Sequence, residues 1–286
     1  MRIAAQSTAP DELEANPGRP TVSTPATLTP AGYLQFETGF LGASDSPKFS
    51  SRYGFNEVMK LSVVPRLELL ASAEPIAHYT ADGKTANSVA DVFLGAQLVV
   101  IHGEGATPTV AVSYFHRIYD GGAPEVNFGS PTNSFLVLAS ADVKGFHYDA
   151  NVLFNELTEG PVRRAQFGQT LSISHHLVGK VSLSSEIWHF TQPFLRVHAV
   201  GNLWAVGYNA RKTLVFDAGF DRGLTSTSTR WEAFVGFTYL LPHRFCKSPA
   251  LKLRDNSIFA KRKQADTGIR VTERMQGVIA EFIGKR

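Results

Sequence analysis

From Tyr33 to Leu240 apolar and polar residues alternate in short runs, the period of two that marks strands with unlike faces. In 33–40, Leu34, Phe36 and Phe40 fall on one side and Gln35, Glu37 and Gly39 on the other. In 147–155, Tyr148, Ala150, Val152 and Phe154 oppose Asp149, Asn151 and Asn155, and in 164–174, Phe167, Leu171 and Ile173 oppose Gln166, Gly168, Thr170, Ser172 and Ser174. The pattern recurs at 52–63, 67–74, 89–100, 109–117, 133–140, 180–189, 198–208, 213–220 and 230–240, which predicts about twelve strands. No stretch between 33 and 240 reads as an amphipathic helix of ten or more residues. Residues 1–31 carry Pro10, Pro17, Pro20, Pro25 and Pro30, too closely spaced for a helix or a central strand, and read as an extended lead-in.

The predicted connections alternate in length. Those at 42–51, 77–88, 118–132, 156–163, 190–197 and 221–229 are long, and those at 64–66, 101–108, 141–146, 175–179 and 209–212 are shorter. Long loops then gather at one end, with short turns and both termini at the other. This predicts a single all-β domain over 32–245, an antiparallel up-and-down transmembrane barrel, rather than a sandwich with Greek-key crossovers. The polar faces support it, being built of small neutral groups with one or two ionisable residues per strand, whereas a soluble sheet carries many Lys and Glu outward. Aromatics at the ends of the apolar faces, among them Tyr33, Phe40, Tyr53, Tyr148, Phe154, Phe167, Phe216, Phe220, Trp231, Phe237 and Tyr239, match the girdles of an outer-membrane barrel.

Composition excludes several classes. With 43% hydrophobic, 11% aromatic and 19% charged residues the chain is not intrinsically disordered. The single cysteine, Cys246, excludes an intramolecular disulfide and paired-cysteine zinc sites. The net charge of +3 is uneven: residues 246–286 hold ten Lys/Arg and four Asp/Glu, so this tail is +6 and the rest −3. The basic character therefore resides in the tail, and it gives no reason to expect a nucleic-acid groove in the body. In the tail, Val271, Met275, Val278, Ile279 and Phe282 share one face of a short helix, the alternative being an unstructured extension. No apolar run reaches the length of a membrane helix. The first thirty residues lack the apolar core of a secretory signal, so the export signal such a barrel requires is not visible in this chain.

Searching for chemistry yields little. There is no G-x-S-x-G elbow, no H-E-x-x-H and no phosphate loop, and Gly103-Glu-Gly105 lacks the third glycine of a dinucleotide site. His175-His176 point to opposite faces of an extended chain and are too few for a metal. His147 and His189 lie near serines at strand ends, the bare minimum for a lipid-hydrolysing barrel. Neither a metal nor a cofactor is expected. The stronger candidates are ionisable groups on the predicted inner faces: Glu37, Lys60, Glu68, Asp91, Asp149, Glu186, Asp217 and Glu232. Facing a lumen, they could pair across it and select solutes, or simply hydrate it. Strict alternation puts Glu57 with Tyr53, Phe55 and Met59 on the apolar face, unless a β-bulge turns it inward.

Gly18-Arg-Pro20, the run Pro30-Ala-Gly-Tyr-Leu-Gln-Phe-Glu-Thr-Gly39, Arg52-Tyr-Gly54 with Glu57, and the strand–turn–strand segment 61–69 resemble the amino-terminal part of the outer-membrane proteins of the phenol-degradation meta-pathway group. Asp91 with Gly95, Asp217-Ala-Gly219, Arg222-Gly-Leu224 and the segment 231–239 are similar to its later strands, so the resemblance spans roughly residues 18–245. It implies a barrel in the bacterial outer membrane that passes apolar or aromatic compounds, and it supplies no catalytic residues. The basic tail is a departure, since members end at an aromatic on the last strand. The combined expectation is a passive outer-membrane channel with bilayer lipid and a small solute as partners. A barrel enzyme acting on lipids and a soluble all-β ligand-binding protein are the alternatives.

Overall fold

The computed structural model describes residues 13–126 and 129–246. Its strands are β1 (Tyr33–Ser46), β2 (Phe49–Val64), β3 (Leu67–Ala81), β4 (Lys84–Ser88), β5 (Val92–Ile101), β6 (Thr109–Tyr119), β7 (Pro131–Val143), β8 (Phe146–Glu159), β9 (Val162–Val178), β10 (Val181–Gln192), β11 (Val197–Arg211), β12 (Leu214–Gly223) and β13 (Trp231–Arg244). All but β4 form the wall, each antiparallel to its neighbours, and β1 pairs with β13 from Tyr33↔Arg244 to Ser44↔Trp231 to close the cylinder. β4 pairs with β3 alone, as a hairpin beyond the wall. The tail predicted at 246–286 lies outside the described residues, apart from Cys246.

The two faces of each strand divide as the alternation predicts, with their environments reversed from those of a soluble protein. Phe55, Phe154, Trp204, Phe216, Phe220, Trp231 and Val235 are exposed on the outside, Phe154 by 50% and Val235 by 54%. Inward-facing Gln35, Gln97, Gln166 and Thr238 are wholly buried. Exposed large apolar groups around a buried polar interior are stable only where the surrounding solvent is hydrocarbon. The molecule is therefore a transmembrane β-barrel, and its apolar faces are not the core of a soluble domain.

Several predicted long connections are partly strand. β1 and β2 pair out to Ser46↔Phe49, β8 and β9 to Glu159↔Val162, and β10 and β11 to Gln192↔Val197. Hydrogen bonding continues there after the apolar alternation has stopped, because beyond the bilayer both faces meet water. Tight turns are set by backbone chemistry. Asp82-Gly83 and Lys144-Gly145 have positive φ at both central positions, the requirement of the two-residue turn that matches strand twist.

One seam departs from the regular wall. β3 leaves β5 after the pair Ser72↔Phe93, and its far half pairs with β4 instead. The predicted strand 89–100 accordingly begins at Val92, because Ala90 turns away to donate to the Glu74 carbonyl at 3.0 Å and packs with Ala77 and Ala123. Between Phe55↔Ile76 and Glu57↔Ala73 the β3 side carries the extra residue, at Glu74-Pro75, where proline has no N–H to contribute to a ladder. The bulge thus faces Asn56, and Glu57, paired with Ala73, stays exposed on the outer face with Phe55 and Met59.

Arginine placed in turn at Tyr148, Ala150, Val152 and Phe154 is expected to destabilise the barrel most at the central positions, by about 2–4 kcal/mol, and little at the ends. Urea unfolding in phospholipid vesicles measures this profile, and an even penalty along the strand contradicts a lipid-facing β8.

Candidate functional site

The lumen is occupied by the chain's own lead-in. At the turn-bearing end Ala15 N donates to the Lys212 carbonyl at 2.8 Å, and from there residues 16–30 bond to inward-facing side chains of the wall. Prolines at 17, 20, 25 and 30 keep this segment from pairing as a strand, so its backbone groups turn to side chains. Gln35 accepts from Asn16 N and donates to Asn16 O, both at 2.8 Å. Asn151 does the same for Thr24, at 2.6 and 3.0 Å. Ala26 N donates to Ser140 Oγ at 2.7 Å, and Gln97 donates to the Pro25 carbonyl at 2.9 Å.

Carboxylates provide the strongest anchors. Glu37 accepts the Gly18 and Arg19 amides at 3.0 and 3.2 Å and the Lys60 ammonium at 2.5 Å. Glu186 accepts the Val22 and Ser23 amides, each at 2.7 Å, and the Ser23 hydroxyl at 2.6 Å. Glu68 accepts the Thr29 amide at 3.0 Å and its hydroxyl at 2.6 Å. Asp217 receives two hydrogen bonds from the Arg19 guanidinium, at 3.1 and 3.3 Å. That guanidinium lies in a hollow over the paired glycines Gly39 and Gly236, where a Cβ on either would meet it at 2.3 or 2.7 Å. Charge-assisted hydrogen bonds in an interior of low dielectric are shorter and stronger than neutral ones. Apolar packing adds to them: Val22 sits against Trp188 and Phe190, and Ala26 against Val99, Ala111 and Leu138.

All eight sequence-derived candidates are buried. Glu37, Lys60, Glu68, Glu186 and Asp217 meet at the lead-in. Asp149 lies one step behind it, accepting from Ser140 at 2.5 Å. Asp91 sits at the other end and holds the Gly121 amide at 2.8 Å, Arg117 at 3.1 Å and the Ser130 hydroxyl. Glu232 is buried on β13. Sequence reasoning missed Gln35, Gln97 and Asn151, whose inward parity was readable, and Arg19, whose approach to Asp217 across 198 residues was not. It also missed the buried Arg52–Glu74 pair, 2.5 Å apart, and Glu125 on the 120–130 connection. Burial, with the nearby Asp91 charge adding to it, pushes the Glu125 carboxyl up to about 7.

Among the described residues neither His147 nor His189 has a serine partner. His147 lies between Asp142 and Asp149, at 2.8 and 3.2 Å, and His189 bonds His198 at 2.8 Å. No group of three or more metal-ligating side chains occurs among the described residues.

The lead-in divides the free space of the lumen. On the turn-bearing side a polar vestibule of 550 Å³ lies between residues 14–25 and the inner faces of β8 to β12. On the far side an open chamber of 320 Å³ is lined by Val22, Phe93, Phe115, Leu136, Leu153 and Phe190, with Glu125, Ser134 and Asn155 as polar neighbours. The polar interior implied by the small neutral residues therefore covers only part of the lumen. The inner positions of β5 to β7 and β10 also carry large apolar groups, which serve as a protein interior wherever the chain packs on itself.

No family model and no curated protein sequence matches the chain. Solved structures do share its fold. An outer-membrane channel from Pseudomonas putida F1 aligns with a TM-score of 0.53 at 12% identity, over 82% of this chain and all of that one. The NanC porin aligns with a TM-score of 0.51 at 12% identity, over 73% of this chain and all of the porin.

With Cys246 replaced by Ser, a cysteine at position 26 is expected to react slowly with a water-soluble maleimide. Adding Glu68→Gln together with Glu186→Gln should raise the rate about tenfold or more, since each carboxylate hydrogen bond contributes about 1.5–3 kcal/mol. An unchanged rate would mean that these carboxylates do not hold the segment.

Proposed function

We propose that this protein is a channel of the bacterial outer membrane for small apolar or aromatic molecules, a member of the phenol-degradation meta-pathway group, closed at rest by its own residues 13–31. The observation that carries this reading is the use of inward carboxylates: Glu37, Glu68, Glu186 and Asp217 all bond the lead-in. Each bond spares a buried carboxylate from facing an apolar or unpaired surrounding, and each can be exchanged for water when the segment leaves. Passage then involves displacement of the lead-in, diffusion through the vacated lumen and no covalent step. The inner ionisable residues take part in this reading as the latch first and as the lining of the open path second. The apolar belt and the structural likeness to outer-membrane channels and porins support the location. The sequence resemblance supports the solute class.

Conductance in planar bilayers and solute flux into liposomes test the reading. The full chain is expected to pass little current, and a variant lacking residues 13–31 to pass much more. A truncated barrel that shows the gel shift of a folded barrel on boiling, yet passes neither ions nor solute, contradicts the proposal. Glu186→Gln and Asp217→Asn are expected to raise flux in the full chain without loss of folding.

A further inference from the structure

The chamber on the far side of the lead-in has a composition of its own. Three phenylalanines, Phe93, Phe115 and Phe190, stand around it with Leu136 and Leu153, and Glu125 is the one ionisable residue of its lining. Its 320 Å³ falls at the low end of the range of about 300–1,000 Å³ found for small-molecule sites.

The charges nearby are paired, with one exception. Arg52 is engaged by Glu74, and Arg117 by Asp91. Glu125 has no hydrogen bond or ion pair among the described residues, and Lys48 and Arg52 act on it only through the field. A carboxyl held up to about 7 by burial and by Asp91 is one that an arriving cation would ionise. The faces of aromatic rings also attract cations, so the apolar lining and the carboxyl favour the same kind of guest. A carboxylate ligand, by contrast, would meet Glu125 in a lining that contributes no Lys or Arg.

We propose that this chamber binds a small amphipathic amine, its apolar body among Phe93, Phe115 and Phe190 and its ammonium on the Glu125 carboxylate. Such a molecule is a passenger waiting ahead of the lead-in, and in that respect the proposal rests on the reading of the barrel as a channel. Val22 forms the floor of the chamber and belongs to the segment that must move. Occupancy of the site and release of the segment therefore involve the same surface.

Isothermal titration of the full chain in detergent with 2-phenylethylamine, 2-phenylethanol and 3-phenylpropionate tests the site. The amine is expected to bind about tenfold or more tightly than the alcohol, and the carboxylate not measurably. Glu125→Gln should reduce the amine to the affinity of the alcohol. Ser134→Phe, which fills the chamber from β7, should abolish binding of both. Equal affinities for amine and alcohol in the unaltered protein, or undiminished amine binding by Glu125→Gln, overturn the proposal. Because Glu125 lies in a connection rather than in the wall, its variant keeps the test valid should Ser134→Phe fail to fold. Flux through the barrel lacking 13–31 separates the two readings. Amine binding to the full chain with no flux leaves the site standing and rejects the channel, whereas flux with no binding rejects the site alone.

Discussion

A bilayer offers nothing for a backbone N–H or C=O to bond, so a sheet that crosses it must have no open edge. In this protein the ladder between β1 and β13 meets that constraint, and much else depends on it. Closure makes one face of every strand an outside and the other an inside. It also encloses a lumen whose inward groups must find partners in water or in protein. The large exposed aromatics and the buried glutamines are two consequences of the same closure.

The lumen meets the requirement for partners with a segment that cannot itself be a strand. Prolines remove donors and fix the backbone of the lead-in, leaving amides free to point at wall side chains. Asn151 and Gln35 bond it as a neighbouring strand would, through one donor and one acceptor each. The carboxylates collect the remaining amides. Glycines serve the same end where bulk must be absent, as Gly39 and Gly236 do beneath the Arg19 guanidinium. Polar groups thus hold the segment in a way that water can replace, whereas an entirely apolar interface would have no such exchange available.

The two compartments follow from where the segment runs. Below it the inner faces of β8 to β12 are rich in Ser, Gly and Asp, and above it phenylalanine and leucine side chains stand around the chamber. The irregular seam between β3 and β5 lies beside this upper region: Ser72 and Phe93, the last pair of that ladder, both line the chamber. There Asp91 and Arg117 hold Gly121 and Ser130, which flank Glu125 in the chain. Where that wall strand stops pairing early, Glu125 joins a largely apolar lining.

Taken alone, the amino-acid sequence determined the class of fold, the approximate strands and the inward or outward side of residues in regular alternation, because a period of two is a local property that each strand declares for itself. It placed Glu37, Glu186 and Asp217 on the polar face for that reason. It could not say what those groups would meet. The approach of Arg19 to Asp217, of Val22 to Glu186 and of Thr29 to Glu68 joins positions far apart in the chain, and no local pattern encodes it. Hairpins extending past the bilayer were hidden for the opposite reason: once water lies on both sides, strand pairing no longer requires alternation. The bulge opposite Asn56, the early parting of β3 from β5 and the chamber lined by Glu125 were decided by tertiary structure alone, since each depends on which segments share the inside of one closed wall.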